Sequence, residues 1–263
     1  MKRLRNDMYA CGQSGLPQAI YLNGQKWTLE TVFKHDFFAC TGRYQCHLST
    51  EKVVLKISRL QSFFGIPCAW LGRMLRNHEL TILRHLADIE EVPHIIRSFG
   101  HNGFLYYFIE GQSLDEKPAV PDDFFSRLRA LLAAIHKRDV CYIDLNKRGN
   151  ILLGKDGRPY LIDFQISLHL PGRWCRFLRT AIQREDMYHL LKHHRKFRPD
   201  LLTPEETQRS RQPSGLIRLH RLAAHPYRQI RRALFRFLYK SRILTPDDSH
   251  HRTPENDPNR FLQ

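Results

Sequence analysis

The chain has no apolar run long enough to cross a bilayer uninterrupted by charge, and its mean hydropathy is −0.48, which argues against a transmembrane helix. Its basic start, MKRLRNDMYACGQSG, is not followed by the apolar stretch of a secretion signal, so none is expected. Cysteines stand at 11, 40, 46, 68, 141 and 175; none forms a C-x-x-C pair, which leaves a zinc site unsupported by spacing. Isolated thiols in a chain of 263 residues suit a reducing, cytoplasmic setting. There is no internal repeat, no low-complexity tract, and no helix-turn-helix, zinc-finger or RNA-binding signature, so nucleic acid as a partner would rest on charge alone. Acidic residues are scarce: 26 Asp and Glu against 42 Lys and Arg, for a net charge of +16 and a pI near 9.9. Such a surface is drawn to nucleic acid, an anionic membrane face or a phosphorylated substrate, and a merely solvated basic surface fits the same numbers.

The apolar share, 42%, is enough for a real core. From Gln25 to Ser58 the pattern is that of strands: KWTLETVF is rich in β-branched and aromatic residues, RYQCHL alternates, and KVVLKIS is a short apolar run. Residues 70–87 place Leu71, Met74, Leu75, Ile82, Leu83 and Leu86 at helical spacing. HIIRSFG and FLYYFIE follow as strands around a turn at His101-Asn102-Gly103. After Gly111 the character changes. PDDFFSRLRALLAAIHKRD predicts a helix with Pro and two Asp at its start, as the helix dipole favours. NILL and PYLIDF then read as a hairpin turning on Asp156-Gly157, and the remainder is mostly helical and rich in Arg and His. Strands first and helices second predict an α+β fold in two lobes.

The chemistry concentrates in CYIDLNKRGNILLGKDGRPYLIDF. Asp144 and Asp163 bracket the hairpin, with Asn150 between them. If the strand ends meet, three hard oxygen donors converge, a set suited to Mg²⁺ bridging substrate phosphates, while one carboxylate can take a hydroxyl proton. Taken singly, Asp144 reads as a turn former and Asp163 as a strand-end cap; the whole string makes coincidence a poor explanation.

This string resembles the catalytic and metal loops of eukaryotic-like protein kinases and their relatives, among them Rio-type kinases, aminoglycoside phosphotransferases and lipopolysaccharide core (Kdo and heptose) kinases. Tyr142-Ile143-Asp144-Leu145 stands at H-R-D-L, Asn150-Ile151-Leu152-Leu153 at N-I-L-L, and Asp163-Phe164-Gln165 at D-F-G. The resemblance implies that Asp144 is the catalytic base and that Asn150 and Asp163 bind Mg²⁺. Val53-Val54-Leu55-Lys56 resembles V-A-I-K, which implies that Lys56 grips the ATP phosphates and that Glu79, on the next helix, pairs with it. LYYFIEGQSL resembles the hinge, so Phe108, Ile109, Glu110 and Gly111 are expected to meet adenine through their backbone. Asp186-Met187-Tyr188 resembles D-x-W/Y, whose aspartate binds catalytic-loop amides; a helix-start Asp is the plainer alternative. The implied layout is a leader (1–19), a β-rich N-lobe (20–110), a helical C-lobe (111–244) and a polar tail (245–263).

The sequence departs from the kinase pattern in several places. No glycine-rich loop lies between the first two strands, where Lys34 to Gly42 holds one glycine; Lys34, Lys56 or Arg43 are the charges available to compensate. Asp144 to Asn150 is one residue longer than usual, and Asn146 replaces the usual lysine, with Lys147 as its stand-in. Ile143 replaces the arginine that reads activation-segment phosphate, and no A-P-E follows. These departures point to the minimal bacterial kinases, whose hydroxyl acceptors are proteins, sugars or lipid-linked sugars; a pseudokinase scaffold is the alternative. PGRWCRFLRTAIQR and HPYRQIRRALFRFLYKSR mix apolar and arginine positions. Each reads first as a core stripe with a solvated basic face. Together they also fit peripheral attachment to an anionic membrane at its inner face. The sequence assigns no role to His193-His194 or His250-His251, and it is silent on oligomeric state.

Overall fold

The structure, a computed structural model, describes residues 7, 9–48, 50–63 and 65–212. HPYRQIRRALFRFLYKSR, the polar tail from Thr245 and His250-His251 lie outside the described residues. The described chain divides into two compact units: residues up to Asn77 with Ile96–Phe108, and His78–Ile95 with the residues from Ile109 on.

The first unit is built on a six-stranded sheet of β1 (Ala19–Leu22), β2 (Gln25–His35), β3 (Ala39–Cys46), β4 (Lys52–Ser58), β5 (Ile95–Phe99) and β6 (Gly103–Tyr107), in the order β1-β2-β3-β4-β6-β5. Asn23 and Gly24 both adopt positive φ (52° and 76°), the two-residue turn that matches strand twist, and so close the β1–β2 hairpin. Alternate residues of these strands, among them Ile20, Trp27, Tyr44, Val53, Leu55 and Leu105, form one buried cluster. β4 lies between β3 and β6 and is buried along nearly its whole length, which is why KVVLKIS is almost continuously apolar.

Residues 9–19, read from the sequence as a loose leader, are packed. Ala10 and Leu16 are buried, Ala10 N–H donates to Asp36 O (2.8 Å), and Leu60 and Gln61 both donate to Ala10 O. The fully buried Arg59 fixes the neighbouring turns by donating to Phe37 O (2.9 Å), Asp7 O (2.6 Å) and Ser62 O (3.1 Å).

The helix expected over 70–87 is α1 (Ala69–His85). Gly72 allows its close approach, since a Cβ there would sit 2.0 Å from Arg59 O. Its buried face carries Glu79, Leu80, Ile82 and Leu83, while Met74, which the periodicity assigned to the apolar side, is exposed. That side of the first turns meets solvent, a distinction that periodicity does not draw.

In the second unit, β7 (Gly111–Ser113), β9 (Ile151–Gly154) and β10 (Pro159–Leu161) form a sheet in the order β10-β9-β7, and β8 (Val140–Cys141) pairs with β11 (Leu168–His169). The helices are α2 (Phe124–Lys137), α3 (Arg176–Phe197) and α4 (Pro204–Arg211). α2 buries Phe124, Phe125, Leu128, Leu131, Leu132 and Ile135, the expected i, i+3, i+4, i+7 stripe. The hairpin turns at Gly157 (φ 76°) as Asp-Gly predicts. PYLIDF is only half strand: the ladder stops at Leu161, so Ile162-Asp163-Phe164 leaves the sheet.

Candidate active site

The second unit gathers most of the polar residues that the sequence singles out. Asp144 opens a 3-10 turn just after β8 and is buried. Its Oδ2 accepts from Lys147 Nζ (2.7 Å) and Asn150 Nδ2 (3.0 Å); Oδ1 takes no hydrogen bond from a described residue. Burial raises the Asp144 pKa above the ordinary carboxylate range, the Lys147 ammonium opposes the rise, and the charge of Asp163 adds to it.

Asn150 is buried, and its backbone is tied by Asn150 N–H to Lys147 O (3.2 Å) and Ile162 N–H to Asn150 O (3.0 Å). Asp163 follows β10 at φ 61°, a left-handed position that Asp tolerates. Beside it Phe164 is fully buried edge-on against Tyr142 (4.9 Å), and Tyr142 Oη donates to Ile162 O. Ser167 Oγ donates to Tyr142 O (3.0 Å), and His78 Nε2 donates to Ser167 O (2.7 Å). No sequence signal marks Ser167, whose side-chain and carbonyl partners, Tyr142 and His78, come from two distant segments.

Beneath this loop lies Asp186, fully buried on α3. Its Oδ2 accepts from Tyr142 N–H (2.9 Å) and His136 Nε2 (3.0 Å), and its Oδ1 from Ile143 N–H (2.8 Å). It is the amide-binding aspartate, not a helix-start residue; α3 begins ten residues earlier, at Arg176. Ile143 needs that grip. A β-branched residue at φ 70°, ψ −45° is strained by about 1–3 kcal/mol.

His193, unassigned by sequence, is buried on α3 and donates Nε2–H to Leu145 O (2.8 Å), next to Asp144. Its neighbour His194 stacks on Phe125 (4.5 Å). Burial depresses the His193 pKa from 6.5 to about 4. In this window the unfolded chain holds the proton more tightly. The contribution of His193 is therefore complete above pH 6.5 and is lost as pH falls toward 4, by about 3 kcal/mol in all. His193→Gln, which keeps a donor for Leu145 O but does not titrate, is expected to flatten the fall in melting temperature between pH 6.5 and 4. An unchanged slope would refute this.

In the first unit Lys56 is buried mid-strand on β4, its Cα facing Thr41 on β3 and Phe104 on β6. Lys34 pairs with Asp36 (3.0 Å). Arg43 pairs with Glu30 (2.8 Å) and lies over the Phe108 ring (4.9 Å). Two of the three compensating charges, Lys34 and Arg43, are thus engaged locally. Phe108 N–H donates to Lys52 O (3.0 Å). Glu79, buried on α1, belongs to the second unit. Ile109 and Glu110 belong to the second unit, where Glu110 O accepts from Lys155 N–H (3.0 Å). Gly111 is required sterically, because a Cβ would lie 2.3 Å from Leu153 O.

The β-rich first unit, the helical second unit and the Asp144–Asn150–Asp163 loops over Asp186 define a protein-kinase-like α+β fold. Among solved structures the chain is similar to the Rio2 kinase from Chaetomium thermophilum, with a TM-score of 0.51 and 15% identity over 70% of this chain and 63% of that one. A second structure of that kinase, its ADP/Mg²⁺-phosphoaspartate complex, gives 0.49 and 16% over 70% and 61%. The chain thus spans a little over three fifths of the Rio2 structures, and the likeness is one of fold. No protein-family profile and no curated protein sequence matches it.

Proposed function

We propose that the chain is an ATP- and Mg²⁺-dependent kinase that transfers a phosphoryl group to a hydroxyl acceptor. The observation that carries this reading is the Asp144 carboxylate, buried and held at one oxygen by Lys147 and Asn150, on a strained loop gripped by Asp186. Asp144 Oδ1 takes the acceptor's proton as its oxygen attacks the γ-phosphorus and the bond to the ADP oxygen breaks. Lys147 opposes the rise that burial imposes on the Asp144 pKa, and its ammonium is assigned to the charge of the transferred phosphoryl group. Asn150 Oδ1 and the Asp163 carboxylate are the hard donors that would hold Mg²⁺, and Mg²⁺ bound there would neutralise phosphate charge. By the resemblance, Lys56 is assigned to the ATP phosphates with Glu79 as its expected partner, and the Phe108–Gly111 backbone to adenine. Because Phe108 N–H and Glu110 O are already bonded, the adenine contacts fall to other backbone groups of that segment.

The acceptor is a protein Ser/Thr or a lipid-linked sugar such as a lipopolysaccharide core residue. Trp174 and Phe177 favour an acceptor at a membrane face. They are 94% and 87% exposed, beside exposed Leu178 and among Arg173, Arg176 and Arg184, where the sequence favoured a core stripe. No helix among the described residues is long and apolar enough to cross a membrane, so attachment would be peripheral. Co-sedimentation with anionic vesicles at low salt is expected. Trp174→Ala is expected to weaken it about 10-fold or more, since burying a large apolar side chain is worth about 1.5–3 kcal/mol. Equal partitioning onto neutral vesicles, or no effect of Trp174→Ala, would remove the membrane reading and leave the kinase reading intact.

A second reading, a nucleotide-binding module without turnover, is favoured by the glycine-poor β2–β3 turn with Lys34 and Arg43 engaged locally. Calorimetric titration with Mg·ATP, followed by labelled ATP with a fractionated lysate that includes its lipids, separates the two. Binding with transfer is expected. Binding without transfer favours the module, and no Mg·ATP binding overturns both.

A further inference from the structure

Three soft or borderline ligands that are far apart in sequence meet in the first unit. Cys11 lies in the packed N-terminal segment, His35 ends β2, and Cys40 is fully buried near the start of β3. One ligand atom from each lies within 4.8 Å of the others. Sulfur and imidazole nitrogen at a zinc ion, bonded at about 2.3 and 2.0–2.1 Å, sit about 3.3–3.8 Å apart in a tetrahedral shell. The cluster therefore closes on an ion by a contraction of about 1–1.5 Å.

Its surroundings are already fixed. Ala10 N–H donates to Asp36 O and Tyr9 packs on the His35 ring (4.8 Å). Cys11 N–H donates to His35 Nε2 (3.3 Å), a bond that ligation of an ion through that nitrogen would replace. Asp36 is not the fourth ligand as it stands: Oδ1 accepts from Phe38 and Ala39 N–H (both 2.9 Å) and Oδ2 pairs with Lys34. A fourth position stays with solvent.

We infer that Cys11, His35 and Cys40 form a zinc site that clasps the N-terminal segment to the β2–β3 turn. Two thiolates and a neutral imidazole cancel the ion's charge, which makes a largely buried site tenable. The turn it grips is the one that lacks glycines, so the ion would rigidify a loop whose residues carry bulky side chains. The site does not depend on the kinase reading.

The test is titration of the full-length, reduced chain with Co²⁺ and then Zn²⁺. One equivalent of Co²⁺ with thiolate charge-transfer absorption, displaced by Zn²⁺, is expected. Zn²⁺ at about 100 times its Kd should raise the melting temperature by roughly 5–10 °C. Affinity should rise with pH, because two thiol protons leave on binding. Cys11→Ser and His35→Gln, at half-buried positions, should each abolish the absorption while the apo variants still melt cooperatively; Cys40→Ser serves as a third variant. No binding to the reduced chain, or thiolate absorption that survives in Cys11→Ser, overturns the site. So does the loss of two thiols to a reducible Cys11–Cys40 disulfide in metal-free protein with no metal uptake after reduction.

Discussion

Asp163→Ala is expected to abolish phosphoryl transfer and to weaken Mg·ATP binding, whereas Asp144→Ala should leave nucleotide affinity nearly unchanged while turnover collapses. The difference lies in where each carboxylate serves. In the proposed function Asp163, at the strand exit, is a cation ligand, and its removal would take a negative charge from beside the phosphates; a loss of at least about 10²–10³-fold in rate is expected, typical for deleting one electrostatic partner of a transition state. Asp144 is engaged at Oδ2 by Lys147 and Asn150, with Oδ1 left for the acceptor. Removing a general base lowers the rate by about 10²–10⁴-fold. Calorimetric titration of Mg·ATP into both variants, with turnover measured in parallel, decides the matter. An equal loss of ATP affinity in the two would reverse the assignment of acceptor and nucleotide sides.

Asp186→Ala is expected to be the most destabilising single change at the site. It strands the Tyr142 and Ile143 amides and His136 Nε2 at once. It also releases a residue held at φ 70° against its own preference. Removing one partner of a buried charged network costs about 3–5 kcal/mol, which for a chain of this size is a melting-temperature loss of about 6–20 °C. Asp186→Asn, which keeps one acceptor oxygen, should fall between wild type and alanine. A shift below about 2 °C in the alanine variant would mean that water or a neighbour replaces the carboxylate and that the loop holds its shape unaided.

The sequence by itself determined the fold class and the candidate chemistry. Asp144, Asn150 and Asp163 stand out because hard oxygen donors around an Asp-Gly hairpin are rare by chance, and because the Asn150–Asp163 interval resembles a kinase pattern even though Asp144–Asn150 is one residue longer. Helix α2 was equally legible, since one uninterrupted apolar stripe faces one core. Tertiary structure decided the rest. Periodicity reports that a face is apolar and is silent on whether anything covers it. Met74 and the Trp174–Leu178 stretch were therefore placed inside and lie outside. His193 showed no pattern because its meaning comes from a carbonyl 48 residues away. Cys11, His35 and Cys40 offered no ligand spacing because an N-terminal segment and two strands bring them together, through contacts that only the packed sheet creates. Local chemistry is written in residue type and interval, while burial and long-range proximity arise from chain closure, and it is closure that turned a leader, a histidine pair and scattered thiols into parts of the fold.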